Sequence, residues 1–514
     1  MTETITTDVV VVGGGLGGLS AARHLQVQGY DVVVLEHHSK PGGYAHYFRA
    51  DGYRFEVALH ALDGLGSNGW ARPMFDTLGI LESVEFNELE PFYTVSFPDF
   101  SVTVPTGIDE YVERIAEVLP DERDGVRNLF DAIKQVGHDV ARYTRDRASG
   151  EHFDQMEMVG RYPAMAMAFS SSWSQFVDRY VRSTEGKALV ATLWGYLGLP
   201  PSRLSAGQFA LTLLSYHTAG AWYPTGGSGA MSFAIKDKIE EHGGDVRLRT
   251  TVTAIEVMGP QHVTVSTDKD LVVEARAVVS NASPSATAAL LPPGAMEPEW
   301  LDDVQSDVAA LSTMTVHLGV ARDLAADGWD HHEFFDMVGY DFESEYESIL
   351  KGEFTDVGMI VSNYSVTDPA CAPDGKTALV LTVLAPWDHN DVWGTGGNLK
   401  EYQENPGYIA TKEAAGQILI DRACRLIPTL RDAIEVVRIG TPLTNVRYIM
   451  QPGGSIYGRE QTVQNMMERR KPTTPIPNVF LAGAWIGGGG MTAAVGSGKS
   501  AAKAVHRYLG STTG

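Results

Sequence analysis

The stretch that most constrains this chain is residues 8–36, DVVVVGGGLGGLSAARHLQVQGYDVVVLE. Its opening run at 9–12 is wholly apolar and β-branched, which predicts a parallel strand buried on both faces. Gly13, Gly15 and Gly18 follow at the G-x-G-x-x-G spacing. That spacing lets the backbone turn sharply, approach a diphosphate and seat the next helix closely on the strand. A second buried run at 32–35 ends in Glu36, eighteen residues beyond Gly18, where a carboxylate would accept hydrogen bonds from ribose hydroxyls. The diphosphate would rest on the free amides at the helix start.

Residues 64–69, GLGSNG, provide an internal control. Gly64, Gly66 and Gly69 have the same spacing, but they follow ALHALD rather than a buried β-branched run, and no acid-terminated strand comes next. A loop is expected there. Composition narrows the class further. The 514 residues suffice for roughly two to four domains. Forty Lys plus Arg stand against 64 Asp plus Glu, a formal charge of -24, which repels nucleic acid and offers no basic stripe to anionic lipid. No apolar run is long enough to span a bilayer, and the first eight residues lack the basic and apolar regions of a secretion signal. The expected address is cytoplasmic, with peripheral contact to a membrane left open. Cys371 and Cys424 lack C-x-x-C spacing, so no disulfide framework, zinc site or thiol relay is supported. The oligomeric state is not legible.

Beyond Glu36, a turn at Pro41, Gly42 and Gly43 lets backbone come close to a ligand, and Tyr53 and Phe55 predict a short strand. Strand-like runs at 92–97 and 101–104 give way to helical periodicity, and the stretch at 156–180 is rich in methionine, with Met156, Met158, Met165 and Met167. Such a stretch serves either as core or as the wall of a lipophilic tunnel running on to residue 216. At 222 the character returns to a glycine turn, an amphipathic helix, strands at 246–248 and 252–257, and a buried run at 277–282. Alternating strands and helices then lead to NVFLAGAWIGGGGMTAAVGSGKSAAKAV, a buried strand, four consecutive glycines at 487–490, and a helix starting near Met491. Four glycines in a row predict backbone lying against a flat ring, with the free helix amides at its edge.

This arrangement resembles the FAD-dependent phytoene desaturase, carotenoid isomerase and retinol saturase family, strongly at both ends of the chain and loosely between. The resemblance implies an α/β architecture: a Rossmann-type FAD-binding domain, like those of glutathione reductase and amine oxidases, built from residues 1–70, 222–295 and 475–514. An inserted α+β substrate domain would comprise 71–221 and 296–474. It implies that Gly42 and Gly43 run along the flavin, that Val252 meets the adenine, that residues 441–458 border the substrate, and that Gly483, Ala484, Met491 and Thr492 hold the ribityl chain and pyrimidine edge. Two positions depart from the family, Ala484 where many members have an acid and Tyr44 where many have arginine.

Flavin chemistry asks little of side chains. His60, at a position where retinol saturase-like members have histidine, is the candidate catalytic acid or base; His217, Tyr448 and Tyr457 are weaker candidates. The expected function is saturation, desaturation or cis-trans isomerisation of double bonds in a lipophilic, conjugated or isoprenoid substrate. A flavin-dependent amine oxidase, and a non-catalytic flavin-binding protein for a lipophilic partner, are the alternatives. No metal site is expected.

Overall fold

The structure is a computed structural model and describes residues 3–511. Its first sheet is built as the valine runs predict. Strand Glu3–Val12 lies between Val32–Leu35 and Leu271–Ser280, parallel to both, and Asp245–Arg247 extends the sheet beyond Val32–Leu35. Val9, Val10 and Val11 are wholly buried, and each contributes about 1.5–3 kcal/mol of burial energy. Leu271–Ser280 is long enough to hold two partners on one edge. Its first half pairs with His262–Thr267, antiparallel, and its last three residues with Val479–Leu481, parallel.

The register brings the strand ends together. Val12 faces Leu35 on one side and Ser280 on the other, and Ser280 faces Leu481. The residues just past the strands therefore meet at the carboxyl edge of the sheet: Gly13 to Gly15, Glu36, Asn281 and Gly483. This edge is where open α/β sheets hold ligands. Helix Leu16–Val27 crosses the carboxyl-terminal helix Met491–Ser511 at backbone contact, since a Cβ on Gly498 would lie 2.2 Å from the Gly17 carbonyl oxygen. Ser20 locks the crossing by donating to the Val495 carbonyl at 2.8 Å.

A second sheet of seven strands runs in the order Ile434–Gly440, Ser312–Val320, Thr377–Ala385, Met359–Asn363, Glu333–Asp336, Tyr93–Ser96, Ser101–Val104. Between the sheets a small three-stranded sheet joins Leu62–Asp63, Ala221–Pro224 and Phe86–Glu88. The helix Ala206–Ala219 packs on Leu62–Asp63 and against the helix Arg123–Ala148. GLGSNG is a loop, as expected.

The methionine-rich half of the stretch at 156–216 departs from the tunnel reading, whereas the half from Thr192 to Tyr216 does line the large cavity. The methionine-rich half folds into the short helices Gln155–Arg161 and Pro163–Phe169, and Met156 is 85% exposed. Met165 is buried, and none of the four methionines lines the large cavity between the two sheets. Helices of two turns bury only a narrow stripe, and Pro163–Phe169 turns its stripe, Met165 included, to the helices Arg123–Ala148 and Ala206–Ala219 rather than to a tunnel.

Candidate active site

One cavity of about 1150 Å³ runs from the glycine edge of the first sheet into the second. That exceeds the usual volume of a single small-ligand pocket and leaves room for a cofactor and a substrate together. At one end its wall is mostly backbone: Gly15, Gly17, Gly42, Gly43, Gly483 and Gly490. A Cβ on Gly17 would lie 2.7 Å from the Gly483 Cα, whereas one on Gly490 would meet nothing within 4 Å and would simply fill cavity. Gly43 has φ +61° and Gly490 φ +102°, conformations that favour glycine.

Asn281 stands at the centre of this end. Its side chain reaches Gly15, Gly17 and Gly483, and its Oδ1 is buried without a hydrogen-bond partner among the described residues. An orphaned buried acceptor beside a glycine seat is a place for a ligand to complete. Ala484 lines the cavity beside it, and the Gly483 amide is taken by Ser497 Oγ at 2.7 Å. Tyr44 also lines the cavity and donates to the Gly454 carbonyl at 2.5 Å, tying the first sheet's turn to residues 452–454. Met491 and Thr492 sit at the start of the last helix, where first-turn amides lack intrahelical partners; the Thr492 hydroxyl itself donates to Asp63 at 2.9 Å.

Four predicted cofactor residues lie outside the cavity wall. Gly13 and Gly18 are packing glycines, since a Cβ on Gly18 would lie 2.1 Å from the Gly13 carbonyl oxygen. Glu36 is buried and accepts from the amides of Gly14 at 2.6 Å and His38 at 2.7 Å, with His37 Nδ1 at 2.9 Å. Val252 opens the strand Val252–Gly259, two residues past Thr250, whose amide donates to the Glu36 carbonyl at 2.8 Å.

At the other end the wall is made of side chains. His60 lines the cavity, and its Nδ1 lies 3.1 Å from Glu333 Oε1 and 3.2 Å from Ser362 Oγ. Glu333 and Ser362 are paired across neighbouring strands of the second sheet, so the sheet register fixes the histidine's partner. Burial pulls the His60 imidazole down, but the charge and hydrogen bond of Glu333 outweigh it and hold the ring above its ordinary value. Tyr196 stacks on His60 with ring centroids 5.7 Å apart and 20° between planes. The Tyr196 hydroxyl and Glu333 Oε2 are both buried without partners among the described residues. Tyr457 is in the wall as well, donating to the Gly195 carbonyl at 2.6 Å.

Two weaker candidates are not brought in. His217 is buried against Tyr111, stacked at 4.7 Å, and burial pushes it down to about 4; Tyr448 is 43% exposed beside His38. Neither lines the cavity. Sequence reasoning missed Asn281, Glu333, Ser362 and Tyr196. Asn281 was findable, because a polar residue just past a buried parallel strand falls at the ligand edge of the sheet.

The flavin containing amine oxidoreductase family matches residues 16–506. The chain belongs to that family. Members of the flavin containing amine oxidoreductase family share the α/β fold with a Rossmann-type nucleotide sheet found here, and an oxidoreductase from Methanosarcina mazei superposes with a TM-score of 0.62 at 16% identity over 96% of this chain and 99% of that one. All-trans-retinol 13,14-reductase of Macaca fascicularis is 25% identical over 501 residues, covering 93% of this chain and 82% of the relative. Prolycopene isomerase 2 of an Oncidium hybrid cultivar is 24% identical over 525 residues, covering 98% and 84%. These relatives agree with the retinol saturase and carotenoid isomerase resemblance. The protein is a flavoenzyme, and its cofactor is FAD. The residues present fit that group: a glycine seat, the unpartnered Asn281 acceptor, and a helix start at Met491. No group of His, Cys, Asp or Glu among the described residues has the arrangement of a metal site.

Proposed function

We propose that this flavoenzyme saturates or isomerises carbon–carbon double bonds of an extended lipophilic polyene, with His60 as the proton donor. FAD, when bound at the glycine end, supplies hydride exchange with such a bond. Gly15, Gly43, Gly483 and the amides at Met491 and Thr492 are the groups that would hold it, with Glu36 at the adenosine ribose. Reducing or shifting an alkene requires a proton as well as a hydride. His60 carries that proton on Nε2, which has no protein partner among the described residues, while Glu333 holds Nδ1 and favours the protonated ring. Ser362 fixes the ring from the same side, and Tyr196 covers its face. Leu197, Leu211, Leu214, Phe335, Met359 and Leu384 give the substrate an apolar bed and exclude water.

The observation that carries the reading is the cavity itself, whose wall at the second sheet is mostly apolar and carries His60, backed by Glu333. The named relatives act on all-trans-retinol and on prolycopene, which supports the same substrate class. Trp70 lies in the wall and is 52% exposed, marking an apolar mouth through which a cytoplasmic enzyme would draw substrate from a membrane surface. No helix among the described residues is long and apolar enough to cross that membrane.

The second reading, oxidation of an amine, rests on the family's name. Anaerobic stopped-flow separates the two. Reduced holoenzyme should convert a polyene alcohol or a poly-cis carotenoid, and oxidised holoenzyme should not be bleached by primary amines. Rapid bleaching by amines with no conversion of any polyene would overturn the proposal.

A further inference from the structure

Glu345 is a buried carboxyl that the chemistry above does not use. It lies on the inner face of the helix Phe342–Lys351, is 7% exposed, and contributes to the cavity wall. Among the described residues its side chain accepts one hydrogen bond, from the Gly358 amide, 2.9 Å from Oε1. Around it are Met337, Ile349, Met359 and Trp194, the last packed on Phe342 one turn back along the helix. Arg422 is the nearest cation, and its guanidinium is already committed to Asp336 at 2.7 Å and to the Val357 carbonyl at 2.5 Å.

The position relative to His60 is set by the sheet. Glu333, the partner of His60, and Met337 are four residues apart on extended backbone, about 13 Å. Met337 and Glu345 both border Gly358, where an added Cβ would lie 2.8 Å from the Met337 sulfur and 3.0 Å from Glu345 Oε1. Glu345 thus lies in the same wall as His60, displaced along the second sheet by about that length, the span of a short polyene. A hydrocarbon terminus would leave this carboxyl facing apolar surface with half its hydrogen-bonding capacity unused, at a cost.

We infer that Glu345 is the recognition site for a polar end group, so that the substrate is a polyene ending in a hydroxyl or carbonyl rather than a pure hydrocarbon. The inference rests on the polyene reading above and specifies it. Burial pushes the Glu345 carboxyl up to about 7 against the Gly358 hydrogen bond and the Arg422 charge, so at neutral pH a protonated fraction offers both a donor and an acceptor. A hydroxyl satisfies both, and a carbonyl accepts the acid proton.

The test uses oxidised, flavin-loaded enzyme, which binds without turning over, and two probes identical except at the terminus: a polyene alcohol and the same polyene ending in methyl. Perturbation of the flavin spectrum reports binding. The alcohol should bind about tenfold tighter, the scale of one buried hydrogen bond. Glu345→Leu should bring the two affinities together, while Glu345→Gln, which keeps an acceptor for the Gly358 amide, should preserve the preference. Should the leucine variant fail to load flavin, infrared difference spectroscopy decides in the wild type. Alcohol, and not hydrocarbon, should shift a protonated carboxyl band that Glu345→Gln removes. Equal affinities in the wild type, or an unmoved band, overturn the assignment of Glu345 and leave the polyene reading standing. Binding of neither probe overturns the polyene reading and this one with it.

Discussion

The two ends of the cavity are built by different means. At the glycine end the wall is backbone, shaped by what the side chains omit; Gly17 packs against Gly483, and Gly490 opens onto empty space. At the His60 end the wall is side chains, His60 and Tyr196 among them, with Glu333 and Ser362 holding His60 from behind; these four come from segments far apart in sequence. Backbone can seat a cofactor common to many enzymes, because every chain carries the same amides. Selecting one substrate and moving one proton requires particular groups at fixed distances. The two ends should therefore fail differently when mutated.

The largest effect is expected at the side-chain end. His60→Ala should slow turnover by roughly 10² to 10⁴, the usual contribution of an acid-base residue, with flavin content per chain unchanged. Loss of flavin in this variant would erase the division between the ends. At the backbone end the reverse is expected. A side chain on Gly15 would begin 2.6 Å from Asn281 Nδ2, so Gly15→Val overpacks the glycine end, where we propose the diphosphate sits. Overpacking costs about 1–3 kcal/mol, which weakens flavin affinity by roughly 10- to 100-fold, and turnover should return once excess FAD is supplied. A fully flavin-loaded but inactive Gly15→Val would contradict the assignment.

Glu333→Gln sharpens the comparison through pH. Glu333 holds His60 above its ordinary 6.5, so activity that needs the protonated ring should fall only as pH rises through the higher folded value. Removing the charge should move that limb to lower pH, so that rate is lost on the basic side and kept on the acid side. The same shift appears in stability. The proton on His60 stabilises the fold fully below about pH 6.5 and the contribution is lost as pH rises through the folded value. The difference in thermal stability between wild type and His60→Gln should accordingly shrink with rising pH. The smallest effect belongs to Met156→Ser. At 85% exposure and outside the cavity, it should change stability by less than about 0.5 kcal/mol and turnover not at all.

How much of this was legible obeys the same division. The valine runs, Gly13, Gly15, Gly18, Glu36 and the glycines at 487–490 announce the first sheet, because a backbone seat needs small residues at fixed spacing along one local segment. The helix crossing at Gly17 and Gly498 is written in the same small-residue pattern. Glu333, Ser362 and Tyr196 carry no such mark. Glu333 and Ser362 meet at His60 because the second sheet pairs them, Tyr196 reaches it from the turn Thr192–Tyr196, and nothing local in the sequence encodes either meeting. Met156 shows the converse hazard, for an apolar residue on a two-turn helix reads alike whether the helix buries it or presents it to solvent. Val252 was placed by resemblance, and in the structure it stands near Glu36 by way of Thr250 rather than in the cavity wall.

The central claim, one cavity with a backbone-built flavin seat at one end and a side-chain proton donor at the other, is tested most directly by a crystal structure of the flavin-loaded enzyme with a polyene alcohol bound. The account predicts the flavin ring against Gly43 and the amides at Met491 and Thr492, with the polyene lying between that ring and His60 and its hydroxyl at Glu345. A polyene bound away from His60, or a flavin ring seated outside the glycine run, would contradict it.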